Sequence, residues 1–170
     1  MEVVRNLDKS AVNWNTPRVN WEIIKDYIPP DKVIWEPFWN ETSQSADHLR
    51  SLGFQVISGN VDFYKVKEPL GDIIVSNPPW DDKERVVARL AELNIPFIII
   101  LPIHSLCTRF IKTHFKNKLQ LIIPNTRLHF DKLNNETNEI ETIKRTPFDS
   151  AYYCYNINLP RDILWLLSKK

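Results

Sequence analysis

An asparagine, two prolines and a tryptophan stand together at Ser76-Asn77-Pro78-Pro79-Trp80, directly after the apolar run Asp72 to Val75. A proline pair locks φ near about −65° and removes two backbone donors, which leaves carbonyl oxygens as acceptors. The Asn77 amide oxygen, the Pro78 carbonyl and the Trp80 ring suit one kind of ligand, a planar amino group. Its two N–H bonds meet the two acceptors, and the attached ring or amide lies on the indole. Drawing both protons toward acceptors localises the nitrogen lone pair and makes the nitrogen more nucleophilic. Such a site needs no strong base, because positioning and electrostatics carry the chemistry. The plainer alternative is a Pro-Pro turn that merely ends a strand.

Elements able to hold such a turn follow from the hydrophobic pattern. Pro17 opens a helix through Trp21, Ile24 and Tyr27, which Pro29-Pro30 stops. Strands are expected at Lys32 to Trp35, Phe54 to Ile57, Asp72 to Ser76, Leu119 to Ile123 and Ser150 to Tyr155. The continuous run Pro96 to Leu101 reads as a strand covered on both faces. Helices are expected from Ser43 or Ser45 to Leu52, with Gly53 as the C′ residue, from Lys83 to Glu92, and from Thr108 to Phe115. A last amphipathic segment runs from Arg161 to Leu167. Alternating strands and helices predict a Rossmann-like, doubly wound α/β fold, with a mostly parallel sheet and helices on both faces. Residues 1–170 form one domain in this reading, with 1–16 as an N-terminal arm and 131–147 as a mobile loop. Ligands of such sheets sit beyond the carboxyl ends of the strands, here at 36–42, 58–64, 77–81 and 102–105.

Asn77-Pro78-Pro79-Trp80 resembles the (D/N)PP(Y/F/W) motif of class I methyltransferases that methylate amino nitrogens with S-adenosylmethionine. These are chiefly N6-adenine methyltransferases of DNA and some RNAs, together with glutamine methyltransferases of release factors. Glu36-Pro37-Phe38-Trp39-Asn40 resembles the family's (D/E)PFxG segment, with Asn40 where glycine is usual. Asn60-Val61-Asp62-Phe63-Tyr64 resembles its (G/N)xDFF segment, and Trp14-Asn15-Thr16-Pro17 its (Y/W)xTP element. Arg127-Leu128-His129-Phe130 is similar to the R(I/V)xF segment of phage-type adenine methyltransferases. The resemblance implies S-adenosylmethionine as cofactor, bound by Trp14, Thr16, Pro17, Glu36, Phe38, Asn40, Asp62 and Phe63. Glu36 would face the cofactor's ammonium, Asp62 its adenine amino group, and Phe63 would cover the ring. Asn77, Pro78, Pro79 and Trp80 would then be catalytic, acting on adenine N6. The acid with which the family grips the ribose has no counterpart in Phe54 to Val61.

Composition narrows the field. The chain has 170 residues, 43% of them hydrophobic and 25% charged, with net charge +1, which excludes a disordered tail. Three glycines against twelve prolines allow neither a GxGxxG turn nor a GxxxxGK[ST] loop, so nicotinamide and P-loop chemistry are not expected. His48, His104, His114 and His129 lack ligand spacing, and two cysteines form no framework, so no metal is expected. No apolar run approaches the ~20 residues of a membrane span, and no signal peptide opens the chain. A soluble intracellular protein is expected, cytoplasmic, or nuclear if eukaryotic or viral. From Leu93 to Phe130 there are five basic residues and no acid: Arg109, Lys112, Lys116, Lys118 and Arg127. They read either as a solvated helix face or as a phosphate-binding strip for DNA or RNA. A chain of this length holds no separate recognition domain, so specificity would come from a partner protein or from substrate shape. Two other functions fit the same residues: an inactive methyltransferase-like scaffold subunit and a protein glutamine methyltransferase.

Overall fold

The computed structural model describes residues 14–38, 43–59, 61–133, 137, 139–143 and 148–168. In chain order the elements are β1 (Trp14–Asn15), α1 (Arg18–Glu22), β2 (Ile34–Glu36), α2 (Ser45–Ser51), β3 (Val56–Ser58) and β4 (Ile73–Ser76). Then come α3 (Lys83–Leu93), β5 (Phe97–Pro102), α4 (Arg109–Phe115) and β6 (Leu119–Ile123). The chain ends with β7 (Phe130–Leu133), β8 (Ile140–Ile143), β9 (Ser150–Tyr155) and β10 (Ile163–Trp165).

Seven strands form one sheet in the order β10-β6-β9-β5-β4-β2-β3. All pairings are parallel except those of β9, which runs antiparallel between β5 and β6. The α/β, mostly parallel architecture is therefore as the alternating pattern predicts. Strand β5 shows why its sequence is apolar throughout. Ile98 and Ile100 join the core on one face of the sheet, with Trp21, Ile24 and Leu49. Phe97, Ile99 and Leu101 join the other, with Val86, Val87, Leu90 and Ile111. Period-two alternation buried on both sides leaves no polar position. Helices α1 and α2 thus cover one face, and α3 and α4 the other.

Local chemistry sets the element ends. Gly53 takes φ +98° after α2, as its C′ position requires. Asn94 closes α3 in the left-handed region at φ +48°, a conformation asparagine tolerates. The predicted helix from Pro17 to Tyr27 divides after Glu22 into α1 and a 3-10 turn, Lys25–Tyr27. Ile24 adopts φ −112° between them, and both Ile24 and Ile28 reach the core. At Gly71 a Cβ would lie 2.8 Å from the Val33 carbonyl oxygen and 3.0 Å from the Trp35 nitrogen. Only glycine lets the chain pass there, and Asp72 Oδ2 next to it accepts the Val33 N–H at 2.8 Å.

Three readings need correction. Within 131–147, expected to be a mobile loop, residues 131–133 and 140–143 form an antiparallel hairpin, β7 with β8. The arm is likewise anchored at its end, since Trp14 and Asn15 pair with Lys132 and Asp131 to complete a second, three-stranded sheet. Residues 1–13 lie outside the described residues. The last amphipathic segment contains an edge strand, β10, parallel to β6.

Candidate functional site

Chain direction reverses at the β2–β4 boundary. From β2 the chain crosses through α2 to β3 on one side, and from β4 through α3 to β5 on the other. This switch point opens a crevice at the carboxyl ends of β2 and β4. Glu36 ends β2 and Ser76 ends β4, and both are buried. Ser76 donates its hydroxyl to Glu36 Oε1 at 2.5 Å, and the Phe38 N–H donates to the same oxygen at 3.0 Å. Burial pushes the Glu36 carboxyl up to about 7, because those two hydrogen bonds and nearby Ser45 only partly offset desolvation of the charge. The Ser45 hydroxyl itself is buried and meets no partner at hydrogen-bond geometry.

The connection from β3 to β4 carries Asp62 and Phe63. Asp62 Oδ1 accepts the Tyr64 N–H at 3.0 Å, an Asx turn, and Oδ2 lies 3.4 Å from Lys65 Nζ. Phe63 is only 3% exposed, with ring centres 4.8 Å from Phe38, 5.7 Å from Trp35 and 5.3 Å from Tyr64. Its ring is packed by protein on these sides, where the sequence had it cover a ligand. Tyr64 in turn donates its hydroxyl to Asp82 Oδ2 and lies under the Arg85 guanidinium, 3.7 Å from the ring centre. These contacts tie the connection to the start of α3.

Beyond β4, Asn77 Oδ1 is buried and has no hydrogen-bond partner. The Pro79 carbonyl accepts the Asp82 N–H, while no described hydrogen bond uses the Pro78 carbonyl. Trp80 is half-buried and anchored. Its indole N–H donates to the Ile100 carbonyl at 3.1 Å, and its ring meets Phe130 at 5.3 Å and Phe148 at 5.1 Å. The ring that the sequence reading assigns to stacking is held by neighbours from β5, β7 and the segment before β9. His104 joins this aromatic group through Phe148, at 5.6 Å.

The remaining expected site residues divide. Thr16 is buried and Pro17 precedes α1 in extended conformation. Asn15 and Asn20 are buried beside them, and Asn20 Nδ2 donates to the His129 carbonyl at 2.9 Å. For Trp14 only the backbone pairing is described, and Asn40, with Trp39, lies outside the described residues. The five basic side chains are exposed but do not line up. Arg109 opens α4 near the carboxyl ends of the strands. Lys116 and Lys118 precede β6, whose first residue pairs with Tyr155 across from Phe97, the first residue of β5. They therefore follow the far end of α4 from Arg109, about 10 Å along the helix axis. Arg127 is ion-paired with Asp149 at 2.6 Å.

Sequence reasoning missed Ser76 as the partner of Glu36, although a serine ending an otherwise apolar buried strand is itself a signal. It also missed Tyr64, Asp82 and Arg85, which only the tertiary fold brings together. Among the described residues no group of three His, Cys, Asp or Glu side chains is placed to hold a metal, and no helix is long and apolar enough to cross a membrane.

No protein-family model matches the sequence, and no curated protein matches it. Among solved structures, the chain is similar to a tRNA methyltransferase from Aquifex aeolicus, at 11% identity and TM-score 0.40, covering 82% of this chain and 68% of that one. It is also similar to an SAM-dependent O-methyltransferase from Thermotoga maritima, at 8% identity and TM-score 0.42, covering 89% and 67%. A TehB-like SAM-dependent methyltransferase from Corynebacterium glutamicum aligns at 11% identity and TM-score 0.35, covering 79% and 84%. At these scores the likeness says nothing of substrate or chemistry.

Proposed function

We propose that this chain is an S-adenosylmethionine-dependent methyltransferase acting on an exocyclic amino group, adenine N6 of DNA or RNA. The observation that carries the reading is Asn77 Oδ1, a buried acceptor without a donor, on an Asn-Pro-Pro-Trp turn at the topological switch point. Leaving a buried acceptor unpaired costs about 1–3 kcal/mol, which a ligand N–H would recover. The Pro78 carbonyl supplies the second acceptor, so both amino protons are held and the nitrogen lone pair is turned outward. Because Oδ1 is shielded from water, the turn must open for substrate to reach it. Trp80, fixed by Ile100, Phe130 and Phe148, limits where the attached ring can lie.

The cofactor's residues fit on one count in particular. Glu36 is a buried carboxyl with no charged side chain contributing to its ionisation, the environment that an ammonium group would complete. Phe38 lies beside it, and Asp62 is positioned to accept an amino N–H. When bound, S-adenosylmethionine supplies an electrophilic methyl group.

One observation favours a second reading, an inactive scaffold subunit. Phe63 is filled in by protein, and neither of the two described cavities is lined by Glu36, Asp62 or Asn77. Calorimetric titration with S-adenosylmethionine separates the two, and heat with wild type supports the enzyme. Asn77→Ala should then lower methyl transfer to an adenine-containing oligonucleotide at least about 100-fold while cofactor affinity stays within a few-fold. No heat at millimolar cofactor gives the scaffold reading, and near-normal transfer by Asn77→Ala refutes the role of the turn.

A further inference from the structure

A second cavity lies at the edge of the sheet away from β4, where β9, β6 and β10 meet the segment after β5. Its volume is about 490 Å³, within the roughly 300–1,000 Å³ of small-molecule sites. Ile103, Leu106, Leu121 and Ile123 give it an apolar lining. Trp165 lines it from the edge strand and is 68% exposed, an unusual fraction for an indole without a partner surface.

Two features define what would fit. Ser150 also lines the cavity and is 6% exposed; its hydroxyl has no hydrogen-bond partner and is shielded from water, so the side chain must turn toward the cavity to meet an occupant. A purely hydrocarbon occupant would leave that hydroxyl unsatisfied, so the occupant needs a polar edge. At the rim, Arg127 and Asp149 neutralise each other at 2.6 Å, so the cavity offers no net charge to an ionic ligand. A planar, uncharged ring with hydrogen-bonding atoms on its edge meets all these conditions. It stacks on Trp165, lies on the isoleucine and leucine side chains, and pairs with Ser150.

We propose that this cavity binds a nucleobase, free as a nucleoside or splayed from a strand. This rests on the cavity's own residues and stands or falls separately from the methyltransferase reading. The test is amide NMR of the whole chain titrated with adenosine, in wild type, Ser150→Ala and Trp165→Ala, with and without saturating S-adenosylhomocysteine. Expected are saturable shifts at Ala151 and Leu164 that S-adenosylhomocysteine does not abolish. Trp165→Ala should weaken binding about five-fold or more, the loss of one base stack. Ser150→Ala should weaken it about five-fold, the loss of one hydrogen bond. Trp165 is exposed and Ser150 unpartnered, so both variants should fold.

A single-stranded oligonucleotide producing the same shifts more tightly than adenosine assigns the source to a strand, and adenosine alone assigns it to the free nucleoside. Either supports the site. Absence of shifts at 10 mM adenosine, or unchanged binding by both variants, overturns the proposal. So does equal binding of octanol, or adenosine monophosphate binding more than ten-fold tighter than adenosine. Adenosine shifts that Asp62→Ala abolishes and Trp165→Ala spares would also overturn it, placing the ligand in the other crevice.

Discussion

Replacing Glu36 with glutamine should stabilise the protein at alkaline pH and abolish cofactor binding. The carboxyl is raised from 4.5 to about 7 by burial. At about 1.4 kcal/mol per pH unit, ionising it in the folded chain costs about 3 kcal/mol more than in the unfolded chain. The sign follows from the raised value. The stability that the neutral form contributes is fully present below about pH 4.5, declines as pH rises toward 7, and is absent above it. Glutamine removes the charge but keeps an oxygen to accept the Ser76 hydroxyl and the Phe38 N–H. Urea unfolding of both proteins from pH 5 to pH 8 measures the difference. Glu36→Gln should match wild type near pH 5 and exceed it by about 3 kcal/mol at pH 8, or about 6–12 °C in Tm. In wild type, a ligand ammonium must find the carboxylate ionised, so cofactor affinity should fall about tenfold per pH unit below 7. A variant less stable than wild type at pH 8, or a difference that ignores pH, refutes the reasoning.

Asp62→Asn should retain the Asx turn to Tyr64 but weaken S-adenosylmethionine binding by about 10-fold or more, whereas Asp62→Ala should also lower stability; calorimetry and urea melts separate the two effects. Gly71→Ala should cost about 1–3 kcal/mol in urea unfolding, because its Cβ would press on backbone atoms of β2 that cannot yield. Tyr64→Phe should cost about 1–2 kcal/mol through its lost bond to Asp82, and an unchanged melt would show that the contact contributes nothing. If the chain binds an oligonucleotide, Arg109→Ala should reduce the slope of log affinity against log salt by about 0.7–0.9.

Much of the fold could be read because parallel strands buried on both faces are continuous apolar runs. Leu119 to Ile123 and Ser150 to Tyr155 emerge with the boundaries the pattern predicts. The hairpin of β7 and β8 could not be read, since the apolar ends of each four-residue strand, such as Phe130 and Ile140, flank polar pairs, Asp131-Lys132 and Glu141-Thr142, and show no alternation of period two. The same holds for β10, a three-residue edge strand whose outward side chains are unlike those of a core strand. At the site, the motif spacing correctly placed Glu36 and Asn77 on neighbouring strand ends. The protein neighbours of Trp80 and Phe63 could not be read, because a sequence shows that an aromatic is present but not which rings pack around it. The basic segment could be read only as a solvated face or a phosphate strip, because a sequence does not show how its cations are spread in space. Helix α4 separates Arg109 from Lys116 by about 10 Å, and Arg127 is already paired with Asp149.

The placement of β9 bears on how the chain is made. Strands β5 and β6 are both complete by residue 123, yet neither touches the other, and the slot between them is filled only by residues 150–155. During synthesis the growing chain therefore carries two unpaired strand edges, lined by Ile98, Ile100 and Ile122, until residues 150–155 emerge. A ribosome stalled or a message cut before codon 150 would release a product that cannot close its sheet and that offers its edges to other chains. Sound folding then depends on β9 arriving promptly, and a chaperone that shields apolar edges would act in that interval.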